Sequence, residues 1–379
     1  MNSLLLISHS TEKTGGGEDD FERITKYLYG KYILYGVLPA GDRVSELSKY
    51  FEDYMITKSN IFPFSKLSNP KYYVYYYLNA KRINRQINDF ILNKSINCAF
   101  VNSSANFSVL SVLHRNKVPS IISIKEIIKP CYIRNGVYFY INKMSTKVIL
   151  ISKYIESKTK KYIKGNKVNV IYSSIEEIPN DQTNMLYESV ISNESILRIV
   201  NIGVIAPYKG QDILLEAVKS IKNFNISITF IGRVTDDNYY RKLLSKTKKL
   251  RDNIKVEFMN ELSKREVYNE ISHSSVVIVS SLEEGFSLVI LEALMLKRLI
   301  ISSDVGIAGE VIKNNVNGFI YSAGNHQELS KLLNHIILNK SLINEMPKNA
   351  LIYFEDKFNL ISNLEKIHLL LESTMLEFS

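Results

Sequence analysis

Short apolar runs rich in β-branched residues alternate with segments of helical period along the whole chain. This alternation predicts an α/β protein, in which helices cover parallel β-sheets. In the first half we expect strands at residues 4–8, 32–37, 98–102, 120–124, 147–152 and 168–172. In the second half we expect them at residues 198–204, 227–232, 255–258, 276–280 and 299–302.

The length of the chain predicts two domains, because 379 residues exceed the roughly 100 to 200 residues of one domain. A polar segment without a clear period, residues 176–195, is the predicted linker. We place an N-terminal domain at residues 1–180 and a C-terminal domain at 181–358, and we expect a helix in 359–379 to cross back to the N-terminal domain. Open α/β sheets bind ligands beyond the carboxyl ends of their strands, so the cleft between the domains is the expected site.

The composition excludes several classes of protein. With 45% hydrophobic and 23% charged residues, the chain fits a globular protein and not a disordered one. The start lacks the basic region of a signal peptide, and no segment reaches about 18 apolar residues, so we expect a cytoplasmic protein without a membrane span. Cys98 and Cys131 lie far apart in apolar surroundings, which argues against a disulfide framework.

The net charge of +10 arises entirely in the first half of the chain. Residues 1–190 contain 26 Lys and Arg against 16 Asp and Glu, whereas residues 191–379 contain 22 of each. Six lysines are concentrated at residues 153–167. They form either a solvated helix face or a surface attracted to anionic lipid headgroups or an anionic acceptor. We interpret the tyrosine-rich segment 72–78 as a half-buried helix face, and we expect no nucleic-acid binding.

The segment SSLEEGFSLVILEAL, residues 280–294, places two carboxylates around a glycine turn and an apolar helix. Ser287 is a possible N-cap of that helix. An unpaired carboxylate at Glu292 would be costly in a buried helix, so a purely structural partner is one interpretation. The other interpretation is that Glu284 and Glu292 accept hydrogen bonds from hydroxyl groups of an elongated ligand. The phosphate of that ligand would lie at the helix N-terminus between them.

A second strand-to-helix turn, within residues 201–218, also indicates an anion. Gly203 ends the strand and Lys209 opens the next helix. A cation at a helix start interacts unfavourably with the helix dipole, which suggests that Lys209 binds a phosphate. A solvated lysine is the alternative. A sugar, a diphosphate and a ribose in line would satisfy both turns.

Residues 280–321 resemble the donor-binding core of the retaining glycosyltransferases of family 4. Those proteins have the GT-B fold, two Rossmann-like domains with doubly wound parallel sheets facing a central cleft. The resemblance implies that residues 1–180 form the acceptor-binding domain and residues 181–358 the nucleotide-sugar donor domain. The family's two glutamates separated by seven residues, with Gly-Phe after the first, are present, and the family's further motifs fall in the expected order at 206–210, 303–306 and 317–319. Weaker matches in the first half lie at residues 13–18, 100–106, 123–127, 150–153 and 170–176.

The resemblance implies a role for each matching residue. Glu284 would contact the transferred sugar, Glu292 the ribose hydroxyls, and Lys209 the diphosphate. Gly15, Gly16 and Gly17 are expected to form a loop after the first strand that lets the backbone approach donor or acceptor, or else a plain flexible loop. The predicted catalytic residues are Glu284, Lys209 and Lys125, and the predicted donor-binding residues are Gly203, Arg233, Gly285, Phe286, Ser287, Leu288, Glu292, Gly16 and Gly17.

The sequence departs from the family pattern at several positions. Val204 stands where the family often has Arg, which shifts phosphate neutralisation towards Lys209 or Arg233. Lys125, before Glu126, replaces a histidine that contacts the donor sugar in relatives, so the choice of sugar is open. The remaining departures are Ser173 and Ser174 in place of Asn-Gly, and Ile307 in place of a second Gly.

The resemblance implies transfer of a hexose-type sugar from a nucleoside diphosphate sugar to a glycan or lipid-linked acceptor, with retained anomeric configuration. Synthesis of bacterial lipopolysaccharide or capsule at the inner face of the membrane is the expected setting. We expect no metal and no cofactor, because the six histidines lack metal-ligand spacing and no paired acidic motif stands in a suitable loop. The alternatives are a non-catalytic nucleotide-sugar-binding protein or partner subunit, and a GT-B epimerase.

Overall fold

In a computed structural model, the chain divides into two units. The structure describes residues 1–12, 16–58, 70–128, 131–176, 195–349 and 357–378, with the backbone alone for 70–74 and 131–132. The first unit comprises Met1–Ser174 and Leu360–Ser379, and the second comprises Ile175–Asn359. The expected boundaries after residues 180 and 358 compare with observed ones after 174 and 359. Apart from residues 176 and 195, the predicted linker lies outside the described residues.

The first unit is built on a seven-stranded parallel sheet in the order β3-β2-β1-β4-β5-β6-β7. Six of these strands were predicted, with ends shifted by at most two residues. The third was missed because it is an edge strand, in which only Thr57 is buried and apolar and polar residues are mixed. The strands are β1 (Ser3–Ile7), β2 (Ile33–Pro39), β3 (Asp53–Thr57), β4 (Cys98–Asn102), β5 (Ser120–Ile124), β6 (Lys147–Leu150) and β7 (Val168–Val170).

Helices connect the strands of this sheet, as parallel pairing requires. Short 3-10 turns at Ser104–Val109 and Gly165–Lys167 complete the connections. The helices are α1 (Gly16–Leu28), α2 (Val44–Ser48), α3 (Pro70–Leu92), α4 (Leu110–Arg115), α5 (Cys131–Met144) and α6 (Lys153–Thr159). No helix in the described ranges is both long and apolar enough to cross a membrane.

The second unit repeats this plan with a six-stranded parallel sheet in the order β10-β9-β8-β11-β12-β13. Its strands are β8 (Ile196–Ile202), β9 (Asn225–Ile231), β10 (Ile254–Met259), β11 (Val276–Val279), β12 (Leu299–Ser303) and β13 (Phe319–Tyr321). The last strand was not predicted, because three residues are too few to give a periodic signal. The helices are α7 (Gln211–Val218), α8 (Asp237–Thr247), α9 (Lys264–Ser272), α10 (Leu288–Met295), α11 (Ala308–Val311), α12 (His326–Leu338) and α13 (Leu342–Glu345).

The strand order creates one switch point in each sheet. In the second sheet β8 lies between β9 and β11, so the chain leaves β8 towards one edge and later returns on its other side. Loops after strands on either side of such a point diverge and leave a crevice that binds ligands in open α/β sheets. A ligand site of this unit is therefore expected at the loops after β8 and β11.

The last helix, α14 (Leu360–Leu376), belongs to the first unit. Leu364 and Leu371 join the apolar core that also contains Phe21 of α1 and Phe100 of β4. The Asn363 side-chain amide donates to Ser174 Oγ at 2.8 Å and ties the helix to the end of the first segment. The final residues thus complete the hydrophobic core of the N-terminal unit.

Leu371→Ala should lower the free energy of unfolding by about 3 kcal/mol, because truncating a fully buried leucine removes apolar contacts and leaves a cavity. Leu369→Ala is the matched control on the same helix, since Leu369 is 54% exposed and should cost about 0.5 kcal/mol or less. Urea denaturation followed by circular dichroism measures both. Equal losses of stability would contradict the packing of α14 into this core.

Candidate functional site

Two loops meet at the carboxyl edge of the second sheet. One follows β8 and carries Lys209, and the other follows the neighbouring strand β11 and carries Glu284. The backbone N–H of Leu282 donates to the carbonyl of Tyr208 at 2.8 Å. The hydroxyl of Ser280 donates to the carbonyl of Lys209 at 2.9 Å. These bonds hold the lysine loop and the glutamate loop together as one surface.

Lys209 and Glu284 form an ion pair. Lys209 Nζ lies 2.8 Å from Glu284 Oε1 and 2.9 Å from Oε2, and the two side chains are 19% and 14% exposed. Burial alone would lower the pKa of Lys209, but the charge and hydrogen bonds of Glu284 outweigh burial and raise the pKa above its ordinary value. The amine therefore remains a cation at neutral pH, held against a carboxylate.

Gly203, directly after β8, permits this placement of the lysine. Its φ is +148°, a backbone conformation that residues with a Cβ atom rarely adopt, and the Lys209 side chain packs beside it, with Cε 3.4 Å from where a Cβ atom would lie. The next residue, Val204, offers its carbonyl to the side chain of Gln211 at 2.9 Å. The backbone conformation is thus the physical reason for glycine at position 203.

Arg233, after β9, is exposed at the same sheet edge. Burial raises the pKa of the Tyr208 hydroxyl, and the charges of Lys209 and Arg233 oppose that rise. Arg233 therefore acts electrostatically on the lysine loop. Arg233 is thus the second cation predicted for this edge, and its role in phosphate binding stays a prediction.

A third loop braces the turn formed by Gly285, Phe286 and Ser287. The Phe286 carbonyl accepts the backbone N–H of Ile307 at 3.0 Å. Gly306 has a φ of +59°, and a Cβ there would lie 2.5 Å from that same carbonyl oxygen. The ring of Phe286 is buried and meets Phe358 edge-on, with 6.2 Å between ring centroids. The turn is fixed by backbone contacts on one side and by apolar packing on the other.

Ser287 occupies the N-cap position of α10, as predicted, but its hydroxyl makes no capping hydrogen bond. The expected cap was wrong because the backbone of Ser287 is left-handed, with φ of +82°, whereas a capping serine usually has extended geometry. Such a conformation costs about 1 kcal/mol or more in a non-glycine residue and is concentrated at functional sites. The N–H groups of the first helical turn, from Leu288 onward, are left without that side-chain cap.

Glu292 lies one turn further along α10 and is 9% exposed. The preceding residues, from Glu284 to Ser287, are not helical, so the two glutamates are carried by different kinds of backbone. The structure places both glutamates on the β11–α10 connection and its helix. Contact of Glu292 with a ribose stays a prediction.

Lys125 follows β5 in the first unit and is buried, with 8% of its side chain exposed. Its amine lies 2.7 Å from Asp20 Oδ2, which also accepts the Ser173 hydroxyl at 2.9 Å. Burial would raise the pKa of Asp20, but the charges of Lys125 and Arg23 outweigh it and lower the pKa below its ordinary value. Asp20 was missed from sequence because it and Lys125 are 105 residues apart.

The expectation of a glycine loop at residues 15–17 was wrong for the part that the structure describes. Gly16 and Gly17 are the first residues of α1, while Gly15 lies outside the described residues. Glu18 and Asp19 in the first turn favour this helix start, because carboxylates stabilise the positive end of the helix dipole. The Gly17 carbonyl accepts the Asn102 side-chain amide at 3.1 Å. This end of the first sheet also holds Glu126, which accepts two serine hydroxyls, from Ser103 at 2.6 Å and from Ser104 at 2.8 Å.

A metal site needs several His, Cys, Asp or Glu side chains grouped around one point. Within the described ranges, no three such side chains are grouped so that they could hold a metal ion. The cations and the helix start at the edge of the second sheet suit an anionic ligand instead.

Residues 188–351 match the family model described as glycosyl transferases group 1. An uncharacterised glycosyltransferase of Methanocaldococcus jannaschii is 28% identical over 218 residues. That alignment covers 57% of this chain and 57% of the relative, so the chain matches little more than half of that protein's length.

Two solved structures superpose on nearly the whole chain. The Anabaena protein HepE in complex with UDP and glucose gives a TM-score of 0.77 at 17% identity, over 98% of this chain and 100% of its own. Sucrose-phosphate synthase from Thermosynechococcus elongatus gives a TM-score of 0.79 at 14% identity, over 100% of both chains. The chain therefore has the GT-B fold, with a C-terminal segment that matches the group 1 glycosyltransferases.

Proposed function

We propose that this protein is a retaining glycosyltransferase that moves a sugar from a nucleoside diphosphate sugar to an acceptor hydroxyl. The observation that carries the proposal is the pairing of Lys209 with Glu284 beside the uncapped start of α10. The Lys209 cation, the Glu284 carboxylate, which can accept hydrogen bonds from hydroxyl groups, and the start of α10 lie on two adjoining loops. The family match over residues 188–351 and the similarity to an uncharacterised glycosyltransferase support the same activity.

The diphosphate is the group that Lys209 and α10 suit best. A phosphate between them would be attracted by the positive charge of the amine and would accept hydrogen bonds from the N–H groups of the first helical turn. When the bond to the sugar breaks, negative charge builds up on the leaving diphosphate, and these donors are already in place to stabilise it. We assign Lys209 the catalytic role of stabilising that leaving group.

The sugar and the ribose are assigned to the two glutamates. Glu284 would accept hydroxyl groups of the transferred sugar, and the backbone of Gly285 and Phe286 lies beside it. Glu292 would accept the ribose hydroxyls. Because Glu284 binds Lys209 with both oxygens, donor binding exchanges part of that ion pair for contacts with phosphate and sugar. The Anabaena structure, which contains UDP and glucose, supports a uridine nucleotide as the first donor to test.

The reaction follows from these contacts without a covalent intermediate on the protein. The acceptor oxygen forms a bond to the anomeric carbon on the face from which the diphosphate leaves, and the leaving phosphate oxygen takes the acceptor proton. The protein then contributes positioning and stabilisation of charge. Lys125, fixed by Asp20, is assigned to the choice of sugar.

The acceptor is proposed to be a glycan or a lipid-linked glycan of bacterial cell-surface polysaccharide synthesis, with the protein in the cytoplasm or at the inner membrane face. Lys158, Lys160 and Lys161 are exposed at the end of α6. Each lysine near an anionic membrane contributes about 1 kcal/mol of attraction. The cluster is therefore a candidate for peripheral contact with lipid.

Lys209→Met should weaken binding of the nucleoside diphosphate about tenfold or more, because a charge-assisted contact to phosphate is lost. Glu284→Gln should leave binding of UDP unchanged or tighter, since it frees Lys209, yet abolish transfer from the sugar nucleotide. Thermal shift with UDP, GDP and TDP identifies the base, and calorimetry with that nucleotide and its sugar conjugates measures the variants.

The matched control is Glu283→Gln, which removes the adjacent carboxylate outside the proposed set of contacts. It should bind and transfer like the wild type. Loss of binding in this control, or unchanged binding in Lys209→Met, would contradict the assignment. A wild type that binds a donor but shows no turnover with any acceptor would favour a non-catalytic binding protein, and a changed sugar without acceptor would favour an epimerase.

Transfer should be independent of divalent metal and should retain the anomeric configuration, because Lys209 and α10 supply the stabilising charge. Activity in EDTA should match activity with added manganese within about twofold, or about 0.4 kcal/mol in the barrier. The anomer of the product is read from proton couplings by NMR. An activity that EDTA removes and manganese restores, or an inverted product, would contradict this prediction.

Replacing Lys158, Lys160 and Lys161 by Glu should abolish association with vesicles that contain phosphatidylglycerol, because attraction becomes repulsion. The control replaces three exposed lysines of the second unit, Lys242, Lys248 and Lys255, and should leave association unchanged. Vesicle flotation measures both. If the α6 variant still floats with the vesicles, this cluster is not the membrane contact.

A further inference from the structure

A groove runs along α3 in the first unit, and it is lined by none of the residues assigned to the donor. It is bounded by α3, the 3-10 turn Ser104–Val109, α4 and α5, and it encloses about 670 Å³. Ligand sites generally have volumes of about 300 to 1,000 Å³. We propose that this α3 groove binds an anionic glycan and docks the acceptor. The docking role rests on the proposed glycosyltransferase function.

The floor of the α3 groove is aromatic. Tyr76 is 8% exposed and stacks on Phe107, with 6.1 Å between ring centroids and 24° between planes. Phe107 in turn meets the ring of Tyr140 edge-on at 5.5 Å. Tyr77 stands at the rim, 68% exposed. Aromatic surfaces flanked by a few polar groups are typical of ligand sites, and they suit the apolar C–H faces of sugar rings.

Two asparagines in the wall offer complementary hydrogen-bonding groups. The Asn84 amide nitrogen donates to the Ser108 carbonyl at 3.1 Å, which leaves its side-chain oxygen to accept a hydroxyl. The Asn88 oxygen accepts the Asn116 amide at 2.9 Å, which leaves its side-chain nitrogen to donate. One polar atom of each side-chain amide is therefore held by the protein, and the other is available to a ligand. A sugar hydroxyl, which both donates and accepts, matches such a pair.

The charged residues that line the α3 groove are all positive. Lys81, Arg85 and Arg115 line it, and none of its lining residues is acidic. Across the part of the chain that the structure describes, no carboxylate lies within ion-pair distance of these three cations. Arginine binds carboxylate and phosphate through two parallel hydrogen bonds. A glycan with acidic groups is thus favoured over a neutral one.

The shape and the position of the groove favour a glycan over a lipid surface. In the floor of the groove Tyr76 is buried and Phe107 is half-buried, where a narrow chain of sugar rings reaches them more readily than a flat lipid surface does. One wall, Ser104–Val109, directly follows β4 at the carboxyl edge of the first sheet. Ligands of open parallel sheets bind at that edge. A glycan lying in the groove therefore has one end directed to the edge where chemistry is expected.

The test compares three tetrasaccharides: tetragalacturonate, a heparin-derived tetrasaccharide and neutral maltotetraose. Isothermal titration calorimetry at about 0.15 M salt excludes weak long-range attraction. The wild type should bind at least one charged probe ten times more tightly than maltotetraose. The double variant Arg85→Ala/Arg115→Ala should lose that tenfold preference, and Tyr77→Ala should weaken the charged probe severalfold.

The matched control is Arg82→Ala/Lys143→Ala, which removes the same charge from exposed positions of α3 and α5 that do not line the groove, and it should bind like the wild type. UDP binding should be unchanged in every variant, and equal thermal midpoints exclude unfolding. The inference is overturned if neither charged probe exceeds maltotetraose, if the control loses as much binding, or if the groove variant instead loses association with phosphatidylglycerol vesicles. Failure of the wild type to bind any nucleotide would count against the proposed function. A wild type that binds UDP but does not prefer a charged glycan would count against the groove inference alone.

Discussion

Parallel pairing of every strand is the constraint on which both units depend. It sends each connection back across the sheet through a helix, and it collects all loops that follow strands at one edge. Lys209 and Glu284 are 75 residues apart, yet they pair because β8 and β11 are neighbours in the sheet. In the first unit the same constraint brings the ends of β1, β4 and β5 together, where Glu126 and its two serine partners lie.

The Lys209–Glu284 pair explains how charged groups are kept ready in a partly buried loop. Either side chain alone would lose hydration without compensation, which is costly at low exposure. Together they neutralise each other, and the raised pKa of Lys209 records the net gain for its charged form. A ligand that offers phosphate to the amine and hydroxyl groups to the carboxylate replaces this pairing with two equivalent contacts. Ligand binding then exchanges one set of charge-assisted bonds for another and leaves no charge buried alone.

Much of the fold was predictable because buried parallel strands are continuous apolar runs. Eleven strands were expected where the structure has them, while β3 and β13 were missed because one is largely exposed and the other spans three residues. Local signals also located the turn at Glu284 and the start of α10. They could not give the left-handed backbone of Ser287, which depends on contacts of its loop with Gly306 and Ile307. Contacts between distant residues, such as Asp20 with Lys125, leave no local pattern at all.

Lys125, Ser173 and Ser174, the first-unit positions at which the sequence departs from the pattern it resembles, form a connected set. Lys125 and Ser173 both contact the same oxygen of Asp20. The neighbouring departure, Ser174, accepts a hydrogen bond from Asn363 of α14. A buried lysine requires a compensating anion, and Asp20 supplies it with a lowered pKa. Lys125, Ser173 and Ser174 thus keep this edge of the first sheet charged and ordered through partners that are distant in sequence.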